Sequence, residues 1–151
     1  MKNVSKKILT CILAVVMIVS SCPIYAFADV FDSCDYEYRT IISKNGNTYV
    51  ELTAYNGRKK SVTLPTEIKN KTVVGISSRF KSNVSLTNVV VPEGYDYVDG
   101  FKDFENLSIT LPQSLRFISS YAFYESTVKS INFPNGLEAI GFGAFMNVNF
   151  E

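Results

Sequence analysis

The feature that most constrains this chain is an internal repeat, because residues 109–123 align with residues 131–145 without a gap. The offset between the two copies is 22 residues. A unit this short cannot bury its own apolar face and has to stack on its neighbours, so the repeat predicts a solenoid. The matching positions are Ile109 and Ile131, Leu111 and Phe133, Pro112 and Pro134, Leu115 and Leu137, Ile118 and Ile140, and Phe123 and Phe145.

Weaker copies of the unit precede these two. Prolines at positions 65, 92, 112 and 134 follow one another at intervals of 27, 20 and 22 residues, and each closes a short run that favours β-structure. Alternation places the first and third residues of each run on one face, and proline then ends the pairing because it has no N–H. We expect short parallel strands in a narrow curved sheet, with the segment after each proline turning back beneath its strand.

Three motifs resemble a known repeat family. They are Leu86-x-x-Val-x-Val-Pro92, then Leu115-x-x-Ile118 with Tyr-Ala-Phe123, and Leu137-x-x-Ile-Gly141 with Gly-Ala-Phe145. These motifs are similar to BspA-type leucine-rich repeats of bacterial cell-surface and secreted proteins, over roughly residues 48–150. The resemblance implies a β-rich or α+β solenoid. Where the family often has a buried Cys or Asn, this chain has Asn83, Ser126 and Val148, so we expect an incomplete polar ladder.

The N-terminus has the pattern of a signal peptide, which we assign to residues 1–28. A basic start is followed by the apolar run Ile8–Val19 and by Ala26-Phe-Ala28, the small-x-small form of a cleavage site. We therefore expect cleavage after Ala28 and a secreted or surface-displayed protein. Two alternatives remain: an uncleaved anchor helix, and a lipoprotein attached at Cys22, since Val19-Ser-Ser-Cys22 loosely fits a lipobox.

The composition of the chain after the predicted leader excludes some partners. That part has 12 basic and 14 acidic residues, a formal charge of −2, which favours neither nucleic acid nor an anionic membrane. Its length suits one domain, and we expect no membrane span in it. Cys34 is its one cysteine, so an intrachain disulfide framework is excluded.

We divide the mature chain into two parts. Residues 29–60 are predicted to form an N-terminal β-hairpin cap, with an Asn45-Gly46 turn between two strand-like runs. Residues 61–151 are predicted to hold about four irregular leucine-rich repeats, the last one cut off at the C-terminus. The sequence is then either a fragment or a truncated product, and we expect self-association through an uncapped C-terminal end.

The residue inventory argues against catalysis. Because the chain has no histidine, Cys34 lacks a His partner for thiol catalysis. The chain also has no Gly-rich phosphate loop. We expect no enzyme activity, no cofactor and no metal site. The acidic residues between positions 93 and 105 do not have the spacing of an EF-hand and are interpreted as a solvated surface: Glu93, Asp96, Asp99, Asp103 and Glu105.

The strand register predicts a candidate ligand-binding face. If the apolar residues of each strand face the core, the residues between and beside them face outward. Stacked in parallel, they would form a small, neutral, hydroxyl-rich ribbon, a kind of surface that solenoids use to bind extended partners. The alternative is that these residues only solvate the sheet. The ribbon residues are Thr63, Asn88, Val90, Ser108, Thr110, Ser130 and Asn132, flanked by Ser61.

Taken together, these features predict a non-catalytic, secreted or surface-displayed module that binds an extracellular protein or a cell-wall or host glycan. The adhesion role is implied by the family resemblance alone. Two alternatives stay open. The chain could be a targeting or spacer region of a larger extracellular enzyme, or a lipid-anchored structural protein of the envelope.

Overall fold

The computed structural model describes residues 35–151, so the predicted leader at residues 1–28 and Cys34 lie outside the described residues. The described range is built from strands and turns and contains no α-helix. Its strands are β1 (Tyr36–Ile42), β2 (Thr48–Tyr55), β3 (Ser61–Thr63), β4 (Glu67–Ile68), β5 (Lys71–Ser82), β6 (Asn88–Val90), β7 (Tyr97–Val98), β8 (Leu107–Thr110), β9 (Phe117–Ile118), β10 (Thr127–Ile131), β11 (Ala139–Ile140) and β12 (Asn149–Phe150).

The strands form two sheets that run along a β-solenoid of about 5 turns. Sheet A has the order β1-β2-β5-β7-β9-β11, with the short β4 paired to β5, and sheet B has the order β3-β6-β8-β10-β12. Each complete turn contributes a strand to sheet B and then a strand to sheet A. The predicted solenoid of short parallel strands is therefore confirmed, and the α+β option is not needed for the described residues.

Sheet B follows the uneven proline spacing. Ser61 pairs with Asn88, Asn88 with Ser108, and Ser108 with Ser130, which reproduces the intervals of 27, 20 and 22 residues. The longest interval contains the antiparallel pair of β4 and β5, whose turn at Lys69 and Asn70 has positive φ angles of 51° and 59°. The insertion is thus absorbed outside the stack, and the ladder of sheet B stays in register.

The expectation of one narrow sheet was incomplete, because sheet A lines a second side of the solenoid. Its strands β7, β9 and β11 are two residues long, too short for alternation to identify them in the sequence. Val98 and Ile118 point from these strands into the core and are almost fully buried. The segment after each proline therefore returns as a second strand.

Phenylalanines stack along the third side of the solenoid, where each turn passes from sheet A to sheet B. The rings of Phe101 and Phe123 lie 5.5 Å apart and nearly parallel, and those of Phe123 and Phe145 lie 5.1 Å apart at 5°. Phe80 tilts against Phe101 at 5.8 Å. Phe80 and Phe123 are buried, whereas Phe145 is half-buried.

The polar ladder expected next to this stack is reduced to one buried serine. The Ser126 hydroxyl donates to the Phe101 carbonyl at 2.6 Å and accepts from the Phe104 N–H at 3.3 Å. Val148 and Asn83 at the related positions are half-buried and exposed. A single internal hydroxyl therefore satisfies backbone groups that would otherwise be buried without partners.

The N-terminal hairpin covers the first edge of sheet A. β1 and β2 pair antiparallel through a turn in which Gly46 has φ of 80°, and β2 continues the sheet by pairing parallel to β5. Leu52 and Tyr55 of β2 are almost fully buried, so the hairpin shares the core of the solenoid. The hairpin of the predicted fold is therefore present, and the bounds of the cap at residues 29–60 stay a prediction.

Candidate functional site

The outer face of sheet B carries the predicted ribbon in two columns across four strands. The first column is Ser61, Asn88, Ser108 and Ser130, and neighbours in it are register partners. The second column begins with Thr63, Val90 and Thr110, also in register, and Asn132 lies one residue beyond the end of β10. Ser108 is half-buried and the other ribbon residues are exposed. We call these eight residues the sheet B ribbon.

Most hydroxyls of the sheet B ribbon have no side-chain hydrogen bond to the described part of the chain. Asn88 accepts one from Thr87 at 3.1 Å, whereas Ser61, Thr63, Ser108, Thr110 and Ser130 make none. Each free hydroxyl can both donate and accept, so the face can match either polarity of a partner's backbone. Val90 adds one apolar contact, since 41% of its surface is exposed.

Asn132 behaves differently from the rest of the ribbon. Its amide oxygen accepts from the Leu111 N–H at 2.7 Å, and its amide nitrogen donates to the Leu111 carbonyl at 2.8 Å. Beyond the end of β10, the Asn132 side chain therefore makes the two hydrogen bonds to the Leu111 backbone that a paired strand would otherwise make. It stabilises the ladder and is less free to meet a ligand than Thr110 beside it.

The predicted acidic cluster is distributed among separate structural roles. Glu93 accepts the backbone N–H groups of Gln113 and Ser114, both at 2.9 Å, and these hydrogen bonds lower the pKa of its carboxyl. Arg116 lies between two acids, Asp96 at 3.5 Å and Glu138 at 2.6 Å. Within residues 35–151 no group of three or more His, Cys, Asp or Glu side chains is arranged to hold a metal ion.

A buried carboxylate joins the hairpin to the solenoid on the outer face of sheet A. Glu51 is 2% exposed and accepts hydrogen bonds from Arg39 Nε and from the Tyr97 hydroxyl. The Tyr97 ring lies over Gly75, where any Cβ would overlap it. Burial and the bond to Glu51 raise the pKa of the Tyr97 hydroxyl.

Sequence reasoning did not find this contact. A signal was nevertheless present, because the repeat places Gly75 at the position that Tyr97 occupies one turn later.

A cleft of about 350 Å³ lies where the first two turns pass from sheet A to sheet B. Sequence reasoning did not bring Lys81 and Glu105 together. In the structure both line the same cleft. The lining residues are Phe80, Lys81, Ser82, Val84, Ser85, Lys102, Asp103, Phe104 and Glu105.

Residues 35–151 contain no helix that is long and apolar enough to cross a membrane.

Stacked turns of parallel strands, each closed by a recurring phenylalanine, define a solenoid repeat protein. The family model for the BspA type leucine-rich repeat region (6 copies) matches residues 24–151, and the chain belongs to this family. This identity agrees with the resemblance of the repeat motifs. The search of curated proteins found no match, and neither did the search of solved structures. The repeat family indicates a protein-interaction module.

Proposed function

We propose that this protein is a secreted or surface-displayed, non-catalytic module that binds an extended polypeptide along the sheet B ribbon. The observation that carries the proposal is the register of sheet B. It sets small, uncharged side chains, all exposed except the half-buried Ser108, in two columns across four strands.

The physical argument rests on how closely a partner can approach this face. Neighbouring strands lie about 4.8 Å apart, so each column presents a regular series of polar groups at that spacing. Small side chains let a partner's backbone come near, and the free hydroxyls of Ser108 and Thr110 can bond its N–H and C=O groups. The absence of charge in the columns keeps the desolvation cost low.

A polypeptide fits the ribbon better than a glycan. Apart from Val90, the columns hold no apolar side chain, and none of them holds an aromatic ring for sugar stacking. The family also favours protein binding. The binding test below also includes glycans, so it would detect adhesion to a host or cell-wall glycan instead.

The test is a binding screen of the full chain against extracellular-matrix proteins and purified cell-wall glycans, repeated with Thr110→Glu. This substitution places a charge and a longer side chain in the middle of the ribbon. The matched control is Thr40→Glu, an exposed threonine on the edge strand of sheet A. We expect a protein partner whose affinity falls at least about tenfold in Thr110→Glu and is unchanged in Thr40→Glu.

If Thr110→Glu and Thr40→Glu bind the partner equally well, the binding interface lies outside the sheet B ribbon. Binding of glycans alone, weakened in Thr110→Glu, would replace the polypeptide partner at the ribbon with a saccharide. A folded sample that binds neither class would favour a spacer role for these repeats.

Secretion has its own test, because the proposal that Ala28 precedes the cleavage site rests on the N-terminal sequence. Mass spectrometry of the protein from the medium and from the cell envelope should find a chain that begins at residue 29. A diacylglyceryl group on Cys22 would instead identify a lipid-anchored envelope protein, and an intact N-terminus would identify an anchor helix.

A further inference from the structure

We propose that the cleft between the first two turns is a binding site for a sugar that carries a carboxylate, such as a uronic or sialic acid residue. This site is separate from the sheet B ribbon, and the proposal does not depend on the polypeptide partner. The cleft volume of about 350 Å³ is of the size that holds one small ligand.

The floor of the cleft is aromatic. Phe104 is half-buried and stacks on the buried Phe80, with ring centroids 6.5 Å apart and planes 20° apart. The two later turns carry Ser126 and Val148 where this turn has Phe104, and Ser126 is buried. A ring at this position supplies a flat apolar surface of the kind on which the C–H face of a sugar packs.

Two lysines of the lining supply positive charge for a carboxylate. Lys81 is exposed, and its ammonium makes no ion pair or hydrogen bond with the described residues. Lys102 is positioned by the Tyr124 ring, 5.0 Å from its Nζ, and by Asp103 at 4.0 Å. Bonds between an ammonium and a carboxylate are charge-assisted, so they are stronger than bonds between neutral groups.

The remaining polar groups suit sugar hydroxyls. Glu105 and Ser85 line the cleft, and the structure gives neither side chain a partner among residues 35–151. A carboxylate accepts from two neighbouring hydroxyls, and a serine can donate or accept. Glu105 would also repel a ligand that is purely anionic, so the lining favours a carboxylate on a hydroxyl-rich body over a bare anion.

The shape of the wall comes from the backbone on either side of Glu105. Asp103 and Asn106 have positive φ angles of 62° and 57°. The Asp103 N–H donates to the Tyr124 carbonyl at 3.0 Å, which ties this wall to the next turn. On the other side the Ser82 hydroxyl bonds the Val84 carbonyl at 2.7 Å. Both walls are therefore fixed before a ligand enters, which lowers the entropic cost of binding.

The test is a titration of the full chain, followed by NMR, with sodium galacturonate and with N-acetylneuraminate. Galactose serves as the neutral sugar and acetate as the bare carboxylate. We expect backbone amides of residues 81–85 and 102–105 to shift with at least one of the two acidic sugars. Galactose and acetate should each bind at least about tenfold more weakly. The two acidic sugars distinguish a uronic acid polymer from a sialylated glycan as the source.

Two variants make the assignment specific. Lys81→Ala should lower the affinity about five- to tenfold, and Lys81→Arg should restore most of it. Lys44→Ala, an exposed lysine in the hairpin turn, is the matched control and should bind like the parent chain. Phe104→Leu keeps an apolar group but removes the ring, so it should also weaken binding while the chain stays folded.

Several results would overturn the proposal. They are equal binding of galactose and galacturonate, equal binding of acetate, shifts that map away from the cleft, full affinity in Lys81→Ala, and no binding of either acidic sugar by the folded chain. Each of these results leaves the ribbon test intact, because Thr110→Glu lies on sheet B outside this cleft.

Discussion

At the scale of single residues, one repeat position carries an unusual backbone conformation in three successive turns. Asp103, Glu125 and Asn147 follow one another at 22-residue intervals and have φ angles of 62°, 56° and 57°. The left-handed region is costly for most residues, and asparagine tolerates it better than glutamate. The repeat therefore fixes the local conformation at this position more strictly than it fixes the side chain.

We expect Glu125→Asn to raise the free energy of unfolding by about 0.5 kcal/mol, because asparagine suits the positive φ. Urea denaturation at constant pH measures the change. Glu105→Asn is the control because Glu105 does not have a positive φ, so this change should not raise the free energy of unfolding. Equal stabilisation by both changes would show that backbone strain is not the cause.

Glu93 predicts a defined pH dependence. Two backbone N–H groups lower the pKa of its carboxyl below the ordinary value of 4.5 in the folded state. Because the folded pKa lies below the unfolded pKa, the stabilisation that the ionised Glu93 carboxylate contributes is complete above the unfolded pKa. This stabilisation is lost as the pH falls through the folded pKa.

We therefore expect the parent chain to be more stable than Glu93→Gln at about pH 7, and the difference to shrink towards about pH 3. Thermal unfolding of both proteins across this range measures it. Glu67→Gln is the control, because Glu67 is exposed and its side chain makes no hydrogen bond to the described residues. A stability difference between the parent chain and Glu93→Gln that stays constant down to about pH 3 would contradict the role given to Glu93.

At the scale of structural elements, the two sheets differ in how well the sequence predicts them. The strands of sheet B alternate over three or more residues and end at prolines, so β6 and β8 were predictable. β7 and β9 are two residues long, and their existence depends on hydrogen bonds to the neighbouring turns. Local pattern cannot reveal an element that tertiary pairing defines.

The candidate sites show the same limit. The exposed ribbon positions follow from alternation, and Thr110 lies where the pattern places it. The hydrogen bonds between Asn132 and the Leu111 backbone, and the position of Tyr97 over Gly75, depend on contacts between turns. The cleft likewise brings together Lys81 and Glu105, which are 24 positions apart in the sequence.

The phenylalanine stack is the element whose loss should cost most. Phe123 is fully buried between Phe101 and Phe145. Phe123→Ala should lower the free energy of unfolding by about 3–5 kcal/mol, from lost burial and from the cavity left behind. Denaturant titration measures it. Phe142→Ala is the control, because 74% of the Phe142 surface is exposed, and its cost should stay under about 1 kcal/mol. Similar costs for both variants would contradict the register.

At the scale of the whole molecule, stability and the proposed binding face both come from stacking turns in register. Val89 and Ile109 are adjacent in the core ladder, and Asn88 and Ser108 are adjacent in the ribbon beside them. A slip by one residue would exchange these two sets and place apolar side chains on the outer face. The ribbon is thus a consequence of the same register that buries the core.

The most direct measurement of this register is disulfide formation between pairs of engineered cysteines on the outer face of sheet B. Asn88→Cys with Ser108→Cys joins register partners about 4.8 Å apart, within the range of a disulfide. Asn88→Cys with Thr110→Cys is displaced by two residues, which puts the Cα atoms about 8 Å apart. Peptide mapping by mass spectrometry distinguishes these bridges from any that involve the natural cysteines. The account predicts rapid bridging of the first pair alone, and equal or preferred bridging of the second pair would contradict it.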